Sequence, residues 1–212
     1  MSRRLASLTL DLLDDIPDPC RACVFWELDP VSKARAEASG DPGFEKEAWV
    51  SEALLNWGSC GTLVYVDELP AGYALYAPPT YVPRGSAFPT APVSGDAVLL
   101  AAIRVVPDFG GGGLGRMLVQ GMVRDLARRG VKAVEAFGDA RPPEPTAGAT
   151  CVAPADFLRA VGFKTVRQHR RWPRLRLDVK GAQTWRAEAE AALERILTGT
   201  LPVPSPEPAY RR

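Results

Sequence analysis

Glycines concentrated at one point of the chain are the residues whose types and spacing most clearly indicate chemistry. Gly110 to Gly113 are consecutive, Gly115 follows Leu114, and Val-Val-Pro at 105–107 precedes them. Glycines at a strand-to-helix junction let the backbone approach a phosphate closely, and the unpaired N–H groups of the helix N-terminus favour an anion. The segment VVPDFGGGGLGRML therefore predicts a turn that binds a diphosphate.

Two other nucleotide-binding turns do not fit this sequence. A dinucleotide-binding fold places its glycine turn after the first strand, whereas this turn lies in the middle of the chain. A P-loop requires Gly-Lys-Ser or Gly-Lys-Thr at its end, and neither follows here. Neither a dinucleotide-binding turn nor a P-loop is therefore expected here.

The elements around the turn must position it. Residues 97–106 form a nearly continuous apolar run, which predicts a strand buried on both faces. Residues 114–129 carry apolar side chains at spacings of three and four and precede Gly130, which predicts an amphipathic helix. The stretch 78–95 is rich in Pro, Gly and Ser and is interpreted as a flap on the substrate side.

The remaining chain alternates strands and helices, which predicts an α/β fold with helices on both faces of the sheet. One domain is predicted over 1–197, followed by a Pro-rich flexible tail over 198–212. Further strands are predicted at 21–28, 61–68, 71–77, 131–138, 163–168 and 174–179, and further helices at 42–57, 154–161 and 182–197.

Two motifs resemble the signature of the GCN5-related N-acetyltransferase (GNAT) superfamily over residues 61–178. The family's strand ends in Val-x-Pro and is followed by Arg/Gln-x-x-Gly-x-Gly/Ala at the start of a helix. Gly113 and Gly115 match the two fixed small residues, whereas Gly110 stands in place of the Arg or Gln. The family's second motif, Phe-Tyr-x-x-x-Gly-Phe, is similar to PADFLRAVGF at 154–163.

The resemblance implies a mixed sheet whose central strand splays from its neighbour, with helices on both faces. It also implies that acetyl-CoA binds in the V-shaped gap between the central strand and the strand at 131–137, without a metal. The residues predicted to bind the coenzyme are Ile103, Val105, Gly110, Gly111, Gly112, Gly113, Leu114, Gly115, Arg116 and Phe157.

The catalytic groups depart from the family pattern. Leu158 stands where many relatives have a Tyr that protonates the leaving thiolate, and Cys151 stands where an Asn often precedes it. Cys151 is interpreted either as a weak proton donor or as a small buried residue. Glu135 is a candidate base within an apolar strand, although it could instead lie on the strand's outward face. Asp96 is a weaker candidate base.

The predicted function is transfer of an acetyl group from acetyl-CoA to a primary amine, by direct attack in a ternary complex. The acceptor is a small molecule or a peptide, with Tyr81, Arg84 and Phe88 of the flap as candidate contacts, and Tyr81 is also a weaker candidate base. The alternative, motivated by Leu158, is a non-catalytic acyl-CoA sensor or partner-binding module.

The net charge, the basic run and the cysteine spacing argue against nucleic-acid binding and against a structural zinc site. The net charge of +1 gives no overall field for nucleic acid. The basic run at 164–176, which contains His169, is interpreted as a solvated sheet edge rather than a site for nucleic acid or for the coenzyme's 3′-phosphate. Cys20 and Cys23 lack the second pair that a structural zinc needs. A redox pair is the other alternative, but the strand-to-helix context that activates such a motif is missing, and we expect reduced thiols.

No uncharged apolar stretch approaches the about 20 residues that a membrane helix requires. At the N-terminus two arginines resemble the start of a signal peptide, but Asp11, Asp14 and Asp15 interrupt the apolar run. A cytoplasmic protein without a membrane partner is predicted, and a homodimer is left open.

Overall fold

The computed structural model describes residues 1–142 and 151–182. Except for residue 182, the helix predicted at 182–197 and the tail predicted at 198–212 lie outside the described residues. The strands are β1 (Arg3–Ser7), β2 (Gly61–Val66), β3 (Leu69–Ala77), β4 (Ala97–Val105), β5 (Ala133–Phe137), β6 (Lys164–Arg167) and β7 (Arg174–Asp178). The α-helices are α1 (Pro30–Ser39), α2 (Pro42–Asn56), α3 (Leu114–Arg128) and α4 (Ala155–Ala160), with short 3-10 helices at Leu10–Asp15, Pro79–Tyr81, Pro83–Ala87 and Pro107–Phe109.

The strands form one mixed sheet in the order β1-β2-β3-β4-β5-β7-β6. The β4–β5 pair is parallel, and the other neighbouring strands are antiparallel. Buried residues of α3 and α4 belong to one hydrophobic cluster, whereas those of α2 belong to a second cluster. Helices therefore cover both faces, and the predicted α/β class with a GNAT-like mixed sheet is confirmed.

The central strand separates from its parallel neighbour after a short paired section. β4 pairs with β5 only from Ala97 to Leu99, opposite Ala133 to Glu135, although it continues to Val105. The register of β4 against β3 shifts just beyond this point, so that Ala101 is the extra residue of a bulge. Because β4 bends away there, its remaining backbone faces a gap instead of β5.

The first predicted strand, at 21–28, is wrong. Its apolar residues Val24 and Trp26 are buried, but the segment consists of turns and irregular backbone that packs on one face of the sheet. The edge position is taken by β1, which pairs with β2 and was not predicted. Aromatic and β-branched residues fit a buried surface in either conformation, so their enrichment did not distinguish a strand from a covering loop.

Two other regions also differ from expectation. Helix α1 was not predicted. Ala36 is its only buried side chain, so the helix lacks the apolar stripe that indicates one in the sequence. Asp29 caps the helix by accepting hydrogen bonds from the backbone N–H groups of Val31 and Ser32. The stretch 78–95, expected as a flap, is packed on the sheet. Its Thr90 is buried and donates a hydrogen bond to the Trp172 carbonyl oxygen at 2.9 Å.

Gly72 provides a test of the close contact between β3 and the splayed part of β4. A Cβ at Gly72 would lie 2.5 Å from the carbonyl oxygen of Arg104 and 3.1 Å from the Cα of Val105. We expect Gly72→Ala to destabilise the fold by about 1–3 kcal/mol, because backbone rather than a flexible side chain must shift. Urea denaturation measures this change. The matched control is Gly95→Ala, where a Cβ meets no atom within 4 Å, and equal stabilities of the two variants would contradict the prediction.

Candidate functional site

The glycine turn connects the end of β4 to the first turn of α3. Gly111 and Gly113 have φ of 75° and 77°, in the left-handed region that favours glycine. Within the described residues, the backbone N–H groups from Gly111 to Arg116 form no hydrogen bond, and the bond from Met117 N to Gly113 O, at 3.1 Å, is the first one of the helix. The turn therefore presents consecutive free donors at the positive end of a helix dipole, as an anion site requires.

Cationic side chains border this turn. Arg3 Nη1 donates to the Gly112 carbonyl oxygen at 2.8 Å, so a guanidinium from β1 lies beside the glycines. Arg116, in the first turn of α3, donates from Nη2 to the Ala160 carbonyl oxygen at 2.9 Å. A groove of about 580 Å³ lies between α3, α4 and the β6–β7 hairpin, and its cations are Arg116, Arg124, Arg159, Lys164 and Arg176.

Helices α3 and α4 are in close contact next to the turn. A Cβ at Gly115 would lie 2.8 Å from Cε2 of Phe157, so the absence of a side chain at Gly115 lets the two helices approach. Leu158 is fully buried in the core cluster beneath α4. The two predicted coenzyme residues, Gly115 and Phe157, are thus brought together, and the position of the missing tyrosine holds an apolar core residue.

On the other face of the sheet, the splayed part of β4 borders a small cavity of about 60 Å³. The predicted coenzyme contact Ile103 lines it, next to Arg104. The other lining residues come from the irregular segment before α1, from α2, from β3 and β4, and from the loop before α4: Pro19, Cys20, Cys23, Trp26, Glu27, Lys46, Tyr73, Ala102 and Cys151.

Cysteines that are far apart in the sequence meet at this cavity. Cys23 Sγ lies 3.4 Å from Cys151 Sγ, and Trp26 Nε1 donates to the Cys151 carbonyl oxygen at 2.7 Å. Cys20 Sγ lies 3.4 Å from Arg104 Nη1 and so belongs to a different contact. The thiol of Cys151 is therefore placed beside the splayed strand, although its predicted role as proton donor stays a prediction.

The pKa values of the two paired thiols move in opposite directions. The hydrogen bond with Cys151 lowers the pKa of Cys23 to about 6, helped by a backbone hydrogen bond at Phe25 and by the Lys46 ammonium, against the effect of burial. The same thiol contact, together with burial, raises the pKa of Cys151. These directions favour Cys23 as the thiolate of the pair and Cys151 as its S–H donor, whereas the geometry of the contact allows either sulfur to donate.

A buried ion pair borders the same cavity and was missed in the sequence. Glu27 and Lys46 are both almost fully buried and form a salt bridge, and the second carboxylate oxygen of Glu27 accepts from Trp26 N at 3.1 Å. One signal was available: Lys46 lies on the same helical stripe as Trp49, Val50 and Ala53, which the core buries. A cation on an apolar stripe implies a buried partner of opposite charge.

Glu135, the predicted base, lies in the closed section where β5 still pairs with β4. Its fully buried carboxylate accepts from Arg174 at 2.9 Å, from Arg176 at 3.4 Å and from Ser94 N at 3.2 Å. Asp96 accepts two bonds from Arg176, each 2.9 Å, and these bonds lower the pKa of the Asp96 carboxyl. Both carboxylates are occupied by arginines, and these contacts argue against either one as the base.

The three predicted substrate contacts lie in different environments. Phe88 is buried in an aromatic stack, with its ring centroid 4.4 Å from that of Phe137 and 5.2 Å from that of Trp26. Arg84 is half-buried, with its guanidinium 4.7 Å above the Phe25 ring, and Tyr81 accepts at its carbonyl oxygen from Trp49 Nε1 at 2.6 Å. Phe88 therefore packs in the core beside Trp26, which argues against its predicted role as a substrate contact.

The basic run at 164–176 covers β6, β7 and their connection. β6 is the last strand of the sheet, in agreement with the favoured interpretation of a sheet edge. Nδ1 of His169 accepts hydrogen bonds from the backbone N–H groups of Arg171 and Trp172, at 3.1 and 2.9 Å. These bonds indicate that His169 shapes the β6–β7 connection. Binding of nucleic acid is not tested by these contacts.

Among residues 1–142 and 151–182, no group of three or more His, Cys, Asp or Glu is arranged to hold a metal ion. In the same ranges, every helix is too short or too polar to cross a bilayer. The cytoplasmic location stays a prediction.

Comparison with known proteins gives one family match and several similar folds. The profile of the Acetyltransferase (GNAT) family matches residues 22–147, more than half of the chain. No match is found among curated protein sequences.

The similar solved structures include the PaiA N-acetyltransferase of Thermoplasma acidophilum in complex with coenzyme A, with a TM-score of 0.56 and 10% identity over 84% of this chain and 99% of that one. YncA of Salmonella typhimurium, a putative acetyltransferase with its cofactor acetyl-CoA, has a TM-score of 0.54 and 13% identity over 84% of this chain and 95% of that one. At these identities the likeness concerns the fold alone.

Proposed function

The chain belongs to the acetyltransferase (GNAT) family, and from this premise we propose that it transfers an acetyl group from acetyl-CoA to a primary amine. The observation that carries the proposal is the glycine turn. Its free N–H groups, from Gly111 to Arg116, lie at the end of a strand that splays from its parallel neighbour. A diphosphate on this turn leaves the rest of the coenzyme beside the open section of β4.

The charges near the turn support this placement of the coenzyme. Arg3 lies next to the glycines, and Arg116 and Arg159 line the groove between α3 and α4. These guanidiniums can neutralise phosphate groups that extend from the turn. The acyl arm is proposed to lie along the backbone of Ile103 and Val105, because β4 pairs with β3 on one side there and faces the gap on the other.

Proton transfer is proposed to use the groups of the small cavity. When the amine nitrogen bonds to the thioester carbon, the nitrogen must lose a proton, and when the C–S bond breaks, the coenzyme's thiolate must gain one. Glu27 is proposed to accept the first proton although it is paired with Lys46, because within the described residues it has a single cationic partner, unlike Glu135, and because its carboxylate lines the cavity beside Ile103. The Cys151 thiol is proposed to supply the second as a weak acid, since its raised pKa opposes the transfer. The direct-attack route requires both substrates in one complex.

The test combines a binding measurement with an activity assay. Acetyl-CoA is titrated into the full chain by calorimetry, and a panel of amines, polyamines, amino acids and peptides is then tested with release of free thiol as the readout. Saturable binding with acetylation of at least one amine supports the enzyme. Saturable binding without turnover on any amine favours the acyl-CoA sensor, for which the buried Leu158 is the motivating observation. Absence of binding overturns both.

The role of Glu27 gives a separate prediction. Glu27→Gln preserves the side-chain shape but removes the anion of the buried Lys46 ammonium, so the free energy of unfolding is measured beside kcat. We expect kcat to fall about a hundredfold, the lower end of what a positioned base contributes. The Kd for acetyl-CoA should stay unchanged, which also shows that the variant is folded. The matched control is Glu47→Gln on the exposed side of α2, for which we expect the wild-type kcat. An unchanged kcat in Glu27→Gln excludes this carboxylate as the base.

A further inference from the structure

Three cysteines line the small cavity beside the splayed part of β4, and the sulfur atoms of two of them are close to each other. The Sγ atoms of Cys23 and Cys151 are 3.4 Å apart, whereas a disulfide bond is about 2.05 Å long. An approach of about 1.4 Å would close the bond. Cys23 follows a turn in which its N–H donates to the Cys20 carbonyl oxygen, so its backbone belongs to no strand or helix that would resist this movement.

We infer that Cys23 and Cys151 are a modification site, which low-molecular-weight disulfides such as oxidised glutathione convert to an intramolecular disulfide that blocks acetyl transfer. The effect on transfer rests on the proposed function, whereas the bond itself does not. Both thiols are partly exposed and line the cavity beside Ile103.

The reaction balances with glutathione disulfide as the oxidant. The Cys23 thiolate attacks one sulfur of glutathione disulfide, forms a mixed disulfide and releases one glutathione thiolate. Cys151 then loses its proton, attacks the Cys23 sulfur and releases the second glutathione. The two protein sulfurs are oxidised by two electrons, and one glutathione disulfide is reduced to two glutathione molecules, which take up the Cys151 proton and the proton that Cys23 had released to solvent on ionisation.

The chemical environment assigns the two roles. The hydrogen bond with Cys151 lowers the pKa of Cys23 to about 6, so Cys23 is mostly the reactive thiolate at neutral pH. Its reactivity should decrease as the pH falls through that value, because the thiol form does not attack disulfides. Burial raises the pKa of Cys60 to about 12, and this fully buried thiol should stay reduced.

Cys20 is the competing partner, since it forms a Cys-x-x-Cys pair with Cys23. Its sulfur contacts Arg104 Nη1 at 3.4 Å instead of Cys23. The geometry therefore favours the long-range bond to Cys151. This bond would tie the segment before α1 to the loop before α4 and would consume the Cys151 thiol, the proposed proton donor.

The sequence allows the bond to be located by mass spectrometry. Trypsin releases the four cysteines in separate peptides, because Arg21 lies between Cys20 and Cys23: the peptides are 5–21, 22–33, 47–84 and 133–159. The reduced full chain is exposed to oxidised glutathione at neutral pH, its free thiols are alkylated, and it is digested.

We expect peptides 22–33 and 133–159 to be cross-linked, with the thiols of the other two peptides alkylated. Cys20→Ala should form the same bond, and Cys151→Ala should accumulate the mixed disulfide at Cys23. A bond between Cys20 and Cys23, a mixed disulfide that persists in the wild type, or four alkylated thiols would each overturn the inference.

Activity provides the second readout. Oxidation should lower acetyl transfer about tenfold or more, since small displacements of reacting groups are costly, and dithiothreitol should restore it. Full activity of the cross-linked chain would overturn the blocking effect. A reduced chain that binds acetyl-CoA but acetylates no amine counts against the proposed function alone, because the bond is detected by mass and not by turnover.

Discussion

Replacing Gly112 by aspartate is expected to weaken acetyl-CoA binding at least about a hundredfold. A side chain at this position blocks the approach of a diphosphate to the turn, and its carboxylate repels the phosphates. Two lost hydrogen bonds from N–H groups to a charged ligand correspond to ~3–6 kcal/mol, and each ~1.4 kcal/mol is tenfold in Kd. Calorimetric titration with acetyl-CoA measures the change.

Gly112→Asp is expected to weaken coenzyme binding without disrupting the fold. Gly112 has an ordinary φ, unlike Gly111 and Gly113, and a Cβ there would be 3.4 Å from the nearest atom, Nη2 of Arg3. The new carboxylate can pair with that guanidinium. Gly95→Asp, on an exposed glycine with open space around it, is the control for the added charge. Equal Kd values of the two variants for acetyl-CoA would show that the diphosphate does not bind at this turn.

The parts of the fold that could be predicted are those where the local sequence patterns agree with each other. β4 is apolar along nearly its whole length, and α3 repeats apolar residues at helical spacing with Leu118, Met122 and Leu126 fully buried. Turn glycines join these two elements. Because period, burial and turn chemistry agree at this junction, the sequence alone located the strand, the helix and the turn between them.

The surroundings of the small cavity beside β4 were not predictable in the same way, because long-range packing builds them. Segment 21–28 has the composition of a strand, yet β1 occupies the edge of the sheet where it would have paired. The irregular segment instead covers β4 and brings Cys23 within 3.4 Å of Cys151. No local pattern relates two thiols that are 128 positions apart. The same packing joins Glu27 to Lys46, which separate elements supply.

Glu135 illustrates how a correct local observation led to a candidate role that its contacts argue against. The sequence identifies it as the only carboxylate of an apolar strand, and a buried carboxylate is a reasonable candidate base. The antiparallel register of β5 with β7 places Arg176 directly opposite it and Arg174 two residues away. Register is set by the packing of the whole sheet, so these partners could not be read from the strand itself.

Removing this carboxylate is expected to cause the largest loss of stability, because Glu135→Ala leaves Arg174 and Arg176 without their buried anion. Breaking a buried ion pair by removing one partner costs ~3–5 kcal/mol, and the side chains of the two arginines are only 12% and 21% exposed. Urea denaturation followed by circular dichroism measures the free energy of unfolding.

The matched control is Asp178→Ala, which removes a carboxylate 2.9 Å from the same Arg176 but at 70% side-chain exposure. An exposed ion pair contributes about 0–1 kcal/mol, so this variant should remain close to the wild type. If the two variants lost the same stability, burial would not determine the strength of this network, and Glu135 would again be open to the catalytic role that its contacts argue against.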